Sequence, residues 1–182
     1  MLVGLVRLRG GSDNVSAVIS DCGLYRYSLT RQINTIGKHV AVGMVNPSTA
    51  DATENDSTIR KLIGFGNRLG WASFTVFNKF AFRATDVNQL KTCNDPIGPM
   101  NDIYTYSAIA SANEVIVAWG AISKLPHALR SRYKFIVGAC HVLNKPMLCF
   151  GTCADGHPRH PVMIPYGEAH AWTPPMTAQG WE

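Results

Sequence analysis

Four short apolar runs, each the length of one strand and each closed by Gly, Asn or a charged turn, set the tightest limit on how this chain folds. HVAVGMV (His39 to Val45) is the clearest, because Asn46-Pro47 follows it and the proline ring removes an amide hydrogen that a sheet ladder needs. SFTVFNKF (Ser73 to Phe80), EVIVAWG (Glu114 to Gly120) and MLCFG (Met147 to Gly151) repeat the pattern. Apolar residues on both sides of such a strand require cover on both faces of the sheet.

Helical windows fall between these runs. Ile59, Leu62, Ile63, Gly66 and Leu69 recur at a helical period, and Asp56 or Ser57 precedes them as a cap, so a helix is predicted over 57–69. Further helices are predicted over 100–112, opened by Asn101-Asp102, and over 126–143, opened by Pro126. Strand and helix in alternation predict a three-layer αβα architecture: a mainly parallel sheet of about four strands, joined by right-handed crossovers. Ahead of it, SAVIS and LYRYSLTR flank Asp21-Cys22-Gly23 and predict an N-terminal β-hairpin. With no repeat or linker evident, residues 1–182 are read as a single α/β domain: hairpin 1–33, core 34–165, C-terminal tail 166–182.

Composition narrows the class. A chain of 182 residues with 46% hydrophobic and 16% charged residues has material for a packed core, which excludes a disordered chain or a charged coiled coil. No apolar stretch reaches the ~18 residues of a membrane span, and Arg7 and Arg9 follow the first apolar residues instead of preceding them as in a signal peptide. Five cysteines, an odd number at low density, fit a reducing compartment, so the cytoplasm is expected. The net charge of +5 is compatible with a phosphate-bearing partner and also with simple solubility.

In sheets of this kind ligands bind beyond the carboxyl ends of the strands, so the loops there are where chemistry is expected. The first, NPSTADATENDST, places Asn46, Pro47, Ser48, Thr49, Asp51 and Asp56 before a helix whose free amides attract an anion or a polarised carbonyl. Asn46 suits a held water or an amide edge, Ser48 and Thr49 donate hydroxyls, and Asp51 and Asp56 suit a base. The same residue types also make turns and caps. The second loop carries Asn78 and Arg83, a planar donor for phosphate or carboxylate, although an Arg83–Asp86 ion pair serves structure equally. The third, Trp119-Gly120, offers an aromatic face for a base or a core side chain. The fourth, GTCADGHPRHP, carries His157, Arg159 and His160 on a backbone that its prolines hold extended, so neighbouring side chains diverge and only some face one pocket. His160 is the preferred donor to an atom where negative charge develops.

Cys149, Cys153, His157 and His160 are permitted zinc ligands, but their spacing departs from paired ligands across a longer gap, and Cys149 falls within a strand. No metal and no cofactor is expected. GxSxG, Walker A and GxGxxG patterns are absent from the sequence.

Together, RYSLTR, NPSTADATENDSTIRK, FNKFAFRATD, VIVAWG and GHPRHP resemble a family of bacterial and phage proteins known only as a domain of unknown function. More distantly, GMVNPS, PRHP and VIVAWG are similar to the uracil-DNA glycosylase superfamily, its mismatch-specific branch above all. That resemblance implies a glycosylase-like fold, a water positioned by Asn46 and a departing base steadied by His160. Ser48 stands where that branch has glycine, and an intercalating loop after the histidine is not evident in VMIPYGEAHAW. Base–sugar cleavage needs a held water, a reader of the base edge and an anion stabiliser, roles open to Asn46, Asn78 and His160. Arg83, Arg159, Arg60 and Lys79 are the cations expected at the rim. The leading expectation is a hydrolase acting on a base, modified bases included, in nucleic acid, DNA before a free nucleotide. A nucleotide- or nucleic-acid-binding module without turnover and a nucleotide hydrolase using a metal on Asp51 and Asp56 are the alternatives.

Overall fold

Asp56 opens the first helix as its place in the sequence requires: the backbone is extended there and the carboxylate accepts the Ile59 amide at 2.8 Å. Helix α1 (Ser57–Leu69) then runs to Gly70, whose left-handed φ of 69° ends it. The computed structural model describes residues 6–10, 15–48 and 55–175. Two of the expected site residues, Thr49 and Asp51, lie outside them.

The strands are β1 (Val6–Gly10), β2 (Val15–Ser20), β3 (Arg26–Gln32), β4 (Lys38–Met44), β5 (Trp71–Asn78), β6 (Glu114–Val117), β7 (Met147–Cys149) and β8 (His170–Ala171). Among the described residues they form one sheet in the order β1-β2-β3-β5-β4-β6-β7-β8. The expected architecture, a mainly parallel sheet of about four strands in a glycosylase-like fold, is therefore not the one found. β5, β4, β6 and β7 do run parallel, but every other pairing is antiparallel, so the sheet is mixed and twice as wide as expected. The reason lies at β5. As the edge of a parallel set it would expose a row of unpaired amides and carbonyls, and β3 covers that row by pairing antiparallel from Leu29↔Val76 to Gln32↔Ser73. The Thr30 and Thr75 hydroxyls meet across this junction at 2.8 Å. The hairpin is thus built into the sheet, and the tail supplies β8 at the far edge.

Helix α2 (Asn101–Ser111) falls inside its expected range. The helix expected over 126–143 is divided: a 3₁₀ segment, His127–Arg132, follows Pro126, and only then does α3 (Tyr133–Val142) begin. Side-chain alternation along the central strands separates two cores. Val40, Val42 and Met44 pack with Phe74, Val76 and α1 residues Ile59, Leu62 and Phe65. Ala41, Phe77, Val115 and Val117 pack with Ile109 of α2 and Ile136, Val137 and Cys140 of α3. No helix of the described residues is long and apolar enough to cross a membrane.

Phe65 is the centre of the first core. It is fully buried, its ring stacks on Phe150 with centroids 3.9 Å apart, and Tyr166 meets it edge-on at 4.9 Å. Phe65→Ala should therefore cost about 3–5 kcal/mol, read as a lower urea midpoint at unchanged slope. A loss under about 1 kcal/mol would show that Phe150 and Tyr166 do not pack on it as described.

Candidate functional site

The carboxyl ends of β4 and β5 are tied together before any loop chemistry begins. Lys79 donates its amide to Met44 O and Phe80 to Val45 O, both at 2.9 Å, which carries the two strands side by side into their loops. A reciprocal clamp follows: the Ala84 amide donates to Pro47 O at 3.0 Å, and Asn46 Nδ2 donates to Ala84 O at 2.8 Å. Asn46 is half-buried, with its amide nitrogen spent on this clamp, and its Oδ1 takes no protein donor among the described residues. Ser48, two residues on, donates its hydroxyl to Asp56 Oδ2 at 3.2 Å, while Asp56 Oδ1 holds the Ile59 amide. Asn78 ends β5 on the α1 side of the sheet and is 2% exposed.

The last loop reaches the same place from the other side. Gly120, at φ 77°, turns the chain after β6 so that its amide donates to Pro158 O at 2.8 Å, and its Cα lies near the His160 side chain. Arg159 N–H donates to Gly151 O at 2.8 Å and closes the loop on itself. His160 is half-buried, and burial lowers its pKa below the ordinary imidazole value; the nearby Asp56 carboxylate opposes that shift and Lys124 adds to it. Its imidazole is thereby held neutral at pH 7. Asp56 is thus the point at which the Asn46 turn, the α1 amino terminus and the His160 turn meet.

Two arginines from β3 join them. Ile19↔Arg26 and Arg31↔Phe74 are partners across the sheet, and paired residues share a face, so both arginines point to the side that carries Ile19, Phe74 and α1. The register shift between Val18 and Ile19 is what brings Arg26 to that side, with Tyr27 packed on Val18 and Ala81 instead. Arg31 donates to Asn55 Oδ1 at 2.9 Å and to Thr30 O at 3.0 Å. Arg83 donates to Gly23 O at 3.0 Å. Arg26 is 6% exposed; burial lowers its pKa to about 10, with Asp56 opposing the shift and Arg83 and Arg31 adding to it.

His157 and Trp119 face the other way, as the extended His157-Pro158 backbone dictates. Both are 2% exposed. Trp119 Nε1–H donates to His157 Nδ1 at 3.3 Å, which fixes a neutral imidazole tautomer because an indole nitrogen can only donate. Tyr133 meets the imidazole edge-on at 4.7 Å, and Trp172 meets Trp119 edge-on at 5.4 Å. Asp155 braces the loop by accepting the amides of Ile122 and His157 at 3.0 and 3.1 Å. Lys79 lies here too, its Nζ 5.4 Å from the Trp119 ring centre, 1% exposed and without a hydrogen-bond partner.

Of the residues expected from sequence, Ser48 bonds to Asp56 and His160 senses its charge, Asn46 and Pro47 are clamped to Ala84 on the loop that carries Arg83, Gly120 lies beside the His160 side chain, and Asn78 ends β5 on the α1 side of the sheet. Trp119 and His157 are not with them, being buried across the sheet. Arg159 is exposed, and its Nε donates to Thr152 O at 2.9 Å. Lys79, expected at the rim, is buried instead. Sequence reasoning missed Arg26 and Arg31; the available signal was a pair of arginines on either side of Leu29 in RYSLTR, charges within a strand otherwise apolar enough to be covered. Among the described residues no group of three His, Cys, Asp or Glu side chains is placed to hold a metal.

Compared with known families, residues 26–162 match a family model described as "Protein of unknown function (DUF1643)". No curated protein and no solved structure matches the chain.

Lys79 makes one measurable consequence. Burial lowers its pKa to about 7, with Asp155 opposing, whereas the unfolded chain holds the proton up to ~10.4. Between these values the unfolded state binds more protons, so Lys79 makes stability rise with pH from about 7 toward 10 and penalises the fold below 7. Lys79→Met should flatten that rise and stabilise the protein by a few kcal/mol at pH 6, as read by urea unfolding of both proteins at pH 6, 7.5 and 9. Parallel stability curves would contradict the burial of a neutral amine.

Proposed function

The chain belongs to the DUF1643 family, whose description assigns no activity, and we propose that its member here hydrolyses the bond between a nucleobase and its sugar in the cleft around Asp56. The observation that supports this reading is that two turns far apart in the chain both reach Asp56 at the amino end of α1: Ser48, two residues after Asn46, donates to its carboxylate, and His160 senses its charge.

Each side chain has a role that follows from its surroundings. Asn46 is locked by its bond to Ala84 O, so its free Oδ1 is a fixed acceptor able to hold and orient a water for attack on the sugar carbon. Bond breaking leaves negative charge on the base, and the neutral His160 imidazole donates an N–H to it, at a site where partial burial strengthens the interaction. Asn78, at the end of β5, presents an amide whose paired donor and acceptor match a base edge. The distant likeness of GMVNPS and PRHP to glycosylase loops supports the same assignment of roles.

A binding role without turnover is favoured by one observation: Asp56, the carboxylate at the centre of the cleft, is committed to Ser48 and to the helix cap and so is not available as a base. Turnover separates the two readings. Release of free base should be measured chromatographically from the common nucleotides and from uracil-containing, mismatched and modified-base duplexes. Asn46→Ala should lower kcat by about 10²–10³ with little change in ligand affinity, and His160→Ala by at least about tenfold. Because burial lowers the pKa of His160, kcat should begin to change at a lower pH than an ordinary imidazole would give as the pH is brought down from 8. Saturable binding with no release of base from any substrate would leave the binding role and discard hydrolysis.

A further inference from the structure

Arg26 is a buried guanidinium whose position the described contacts do not explain. It is 6% exposed, and its Nε is sealed from solvent without a hydrogen-bond partner among the described residues. A guanidinium cannot shed its charge at neutral pH, and an unpaired buried charge is among the most costly features a fold can hold. A structural role for it would show as a bidentate carboxylate or a set of carbonyl acceptors, and neither is present among the described residues. Of these residues, the carboxylate that acts on it is Asp56, whose two oxygens already take the Ser48 hydroxyl and the Ile59 amide. Arg31, 3% exposed, and Arg83 add positive charge on the same side, each anchored by a backbone carbonyl.

We infer that Arg26, with Arg31 and Arg83 around it, is a binding site for the terminal phosphate of a mononucleotide whose base occupies the Asn46–His160 cleft. This rests on the reading of that cleft as a nucleobase site and narrows it to a free nucleoside 5′-monophosphate. Three observations select that ligand class. First, a guanidinium fork matches phosphate oxygens in number and planarity. Second, the amino end of α1, a helix of 13 residues, adds the positive end of its dipole beside the same cluster. Third, Arg26 and Arg31 are 6% and 3% exposed, so a phosphate that reaches them can carry a substituent outward on one side only, whereas an internal phosphodiester would need chain leaving on both sides of a buried group.

The test is a set of binding titrations at pH 7.5, independent of turnover, on wild type, Arg26→Gln and Arg26→Lys. The probes are the four common deoxynucleosides, their 5′-monophosphates, orthophosphate, and a single-stranded oligonucleotide with hydroxyl ends. At least one monophosphate is expected to bind at least about tenfold more tightly than its nucleoside, and orthophosphate in excess should weaken it. Arg26→Gln should reduce that monophosphate to the affinity of its nucleoside while leaving the nucleoside unchanged, and Arg26→Lys should restore part of the difference. If Arg26→Gln does not fold, the wild-type ratio of monophosphate to nucleoside still decides. Equal affinity for the two, no saturable binding of any mononucleotide, orthophosphate binding as tightly as the nucleotide, or an oligonucleotide binding as tightly through Arg26 would each overturn the inference. Phosphate preference without release of base would sink the hydrolytic reading alone, and release of base without phosphate preference would sink this one alone.

Discussion

The antiparallel seating of β3 against β5 is the constraint on which the rest of this molecule depends. Parallel strands bring their carboxyl ends, and so their loops, to one edge of a sheet. An antiparallel neighbour brings its amino end there instead. That is how Arg26, the first residue of β3, comes to the edge where β4, β5 and β6 finish, although it precedes all of them in the chain. A helix-linked parallel strand in that place would have delivered another loop, whereas β3 delivers charged residues on a rigid ladder, held by its pairings with both β2 and β5. Side chains on strands are positioned more tightly than side chains on loops.

Two faces of one sheet then divide the loops between them. The fourth loop shows this most plainly, because His157 and His160 are three residues apart and serve opposite sides. His157 closes a dry cluster with Trp119, Tyr133 and Trp172. That cluster anchors the loop, and its bonds from Gly120 to Pro158 and from Trp172 to Gly156 O fix where His160 can stand. The buried aromatic set is thus what makes the exposed side of the loop definite. Asp56 does the same work across the cleft, where one carboxylate caps α1, holds Ser48 and sets the field that His160, Arg26 and Arg31 experience.

Much of this was legible in the sequence, and what was not has physical causes. The four apolar runs correspond to β4, β5, β6 and β7 because buried parallel strands leave a signal that needs no partner to be read. α1 was legible to the residue, since a cap, a period and a closing glycine coincide there. The width of the sheet was not legible, because nothing local in RYSLTR says which strand it pairs with, and β8 is only two residues long. The division of the third helix escaped because Pro126 is an acceptable first residue for either a 3₁₀ turn or an α-helix. Asn46, Ser48 and His160 stood out in the sequence because they lie in loops after strands. Arg26 was missed because the face it points to depends on a register shift in the pairing of its own strand with β2, and Lys79 was misplaced because strand alternation, continued past Asn78, turns it into the second core.

Lys79 and Arg26 show how side-chain chemistry decides what burial means. Both are cations within an interior that disfavours charge, and both lack a partner for a polar atom. Lysine can release its proton, and burial takes Lys79 to about 7, so at neutral pH about half of it is already an amine over the Trp119 ring and above that pH the charge is progressively lost. Arginine has no such escape: even lowered to about 10, Arg26 is charged at neutral pH. Its cost is relieved only by an opposite charge. Among the described residues Asp56 is near enough for Arg26 to sense but is already bonded to Ser48 and the Ile59 amide, so the Arg26 guanidinium has no carboxylate of its own there. A lysine at position 26 could shed its proton while no anion is bound and regain it beside a phosphate, whereas arginine keeps its charge throughout, and that is what turns a buried strand end into a standing demand for an anion.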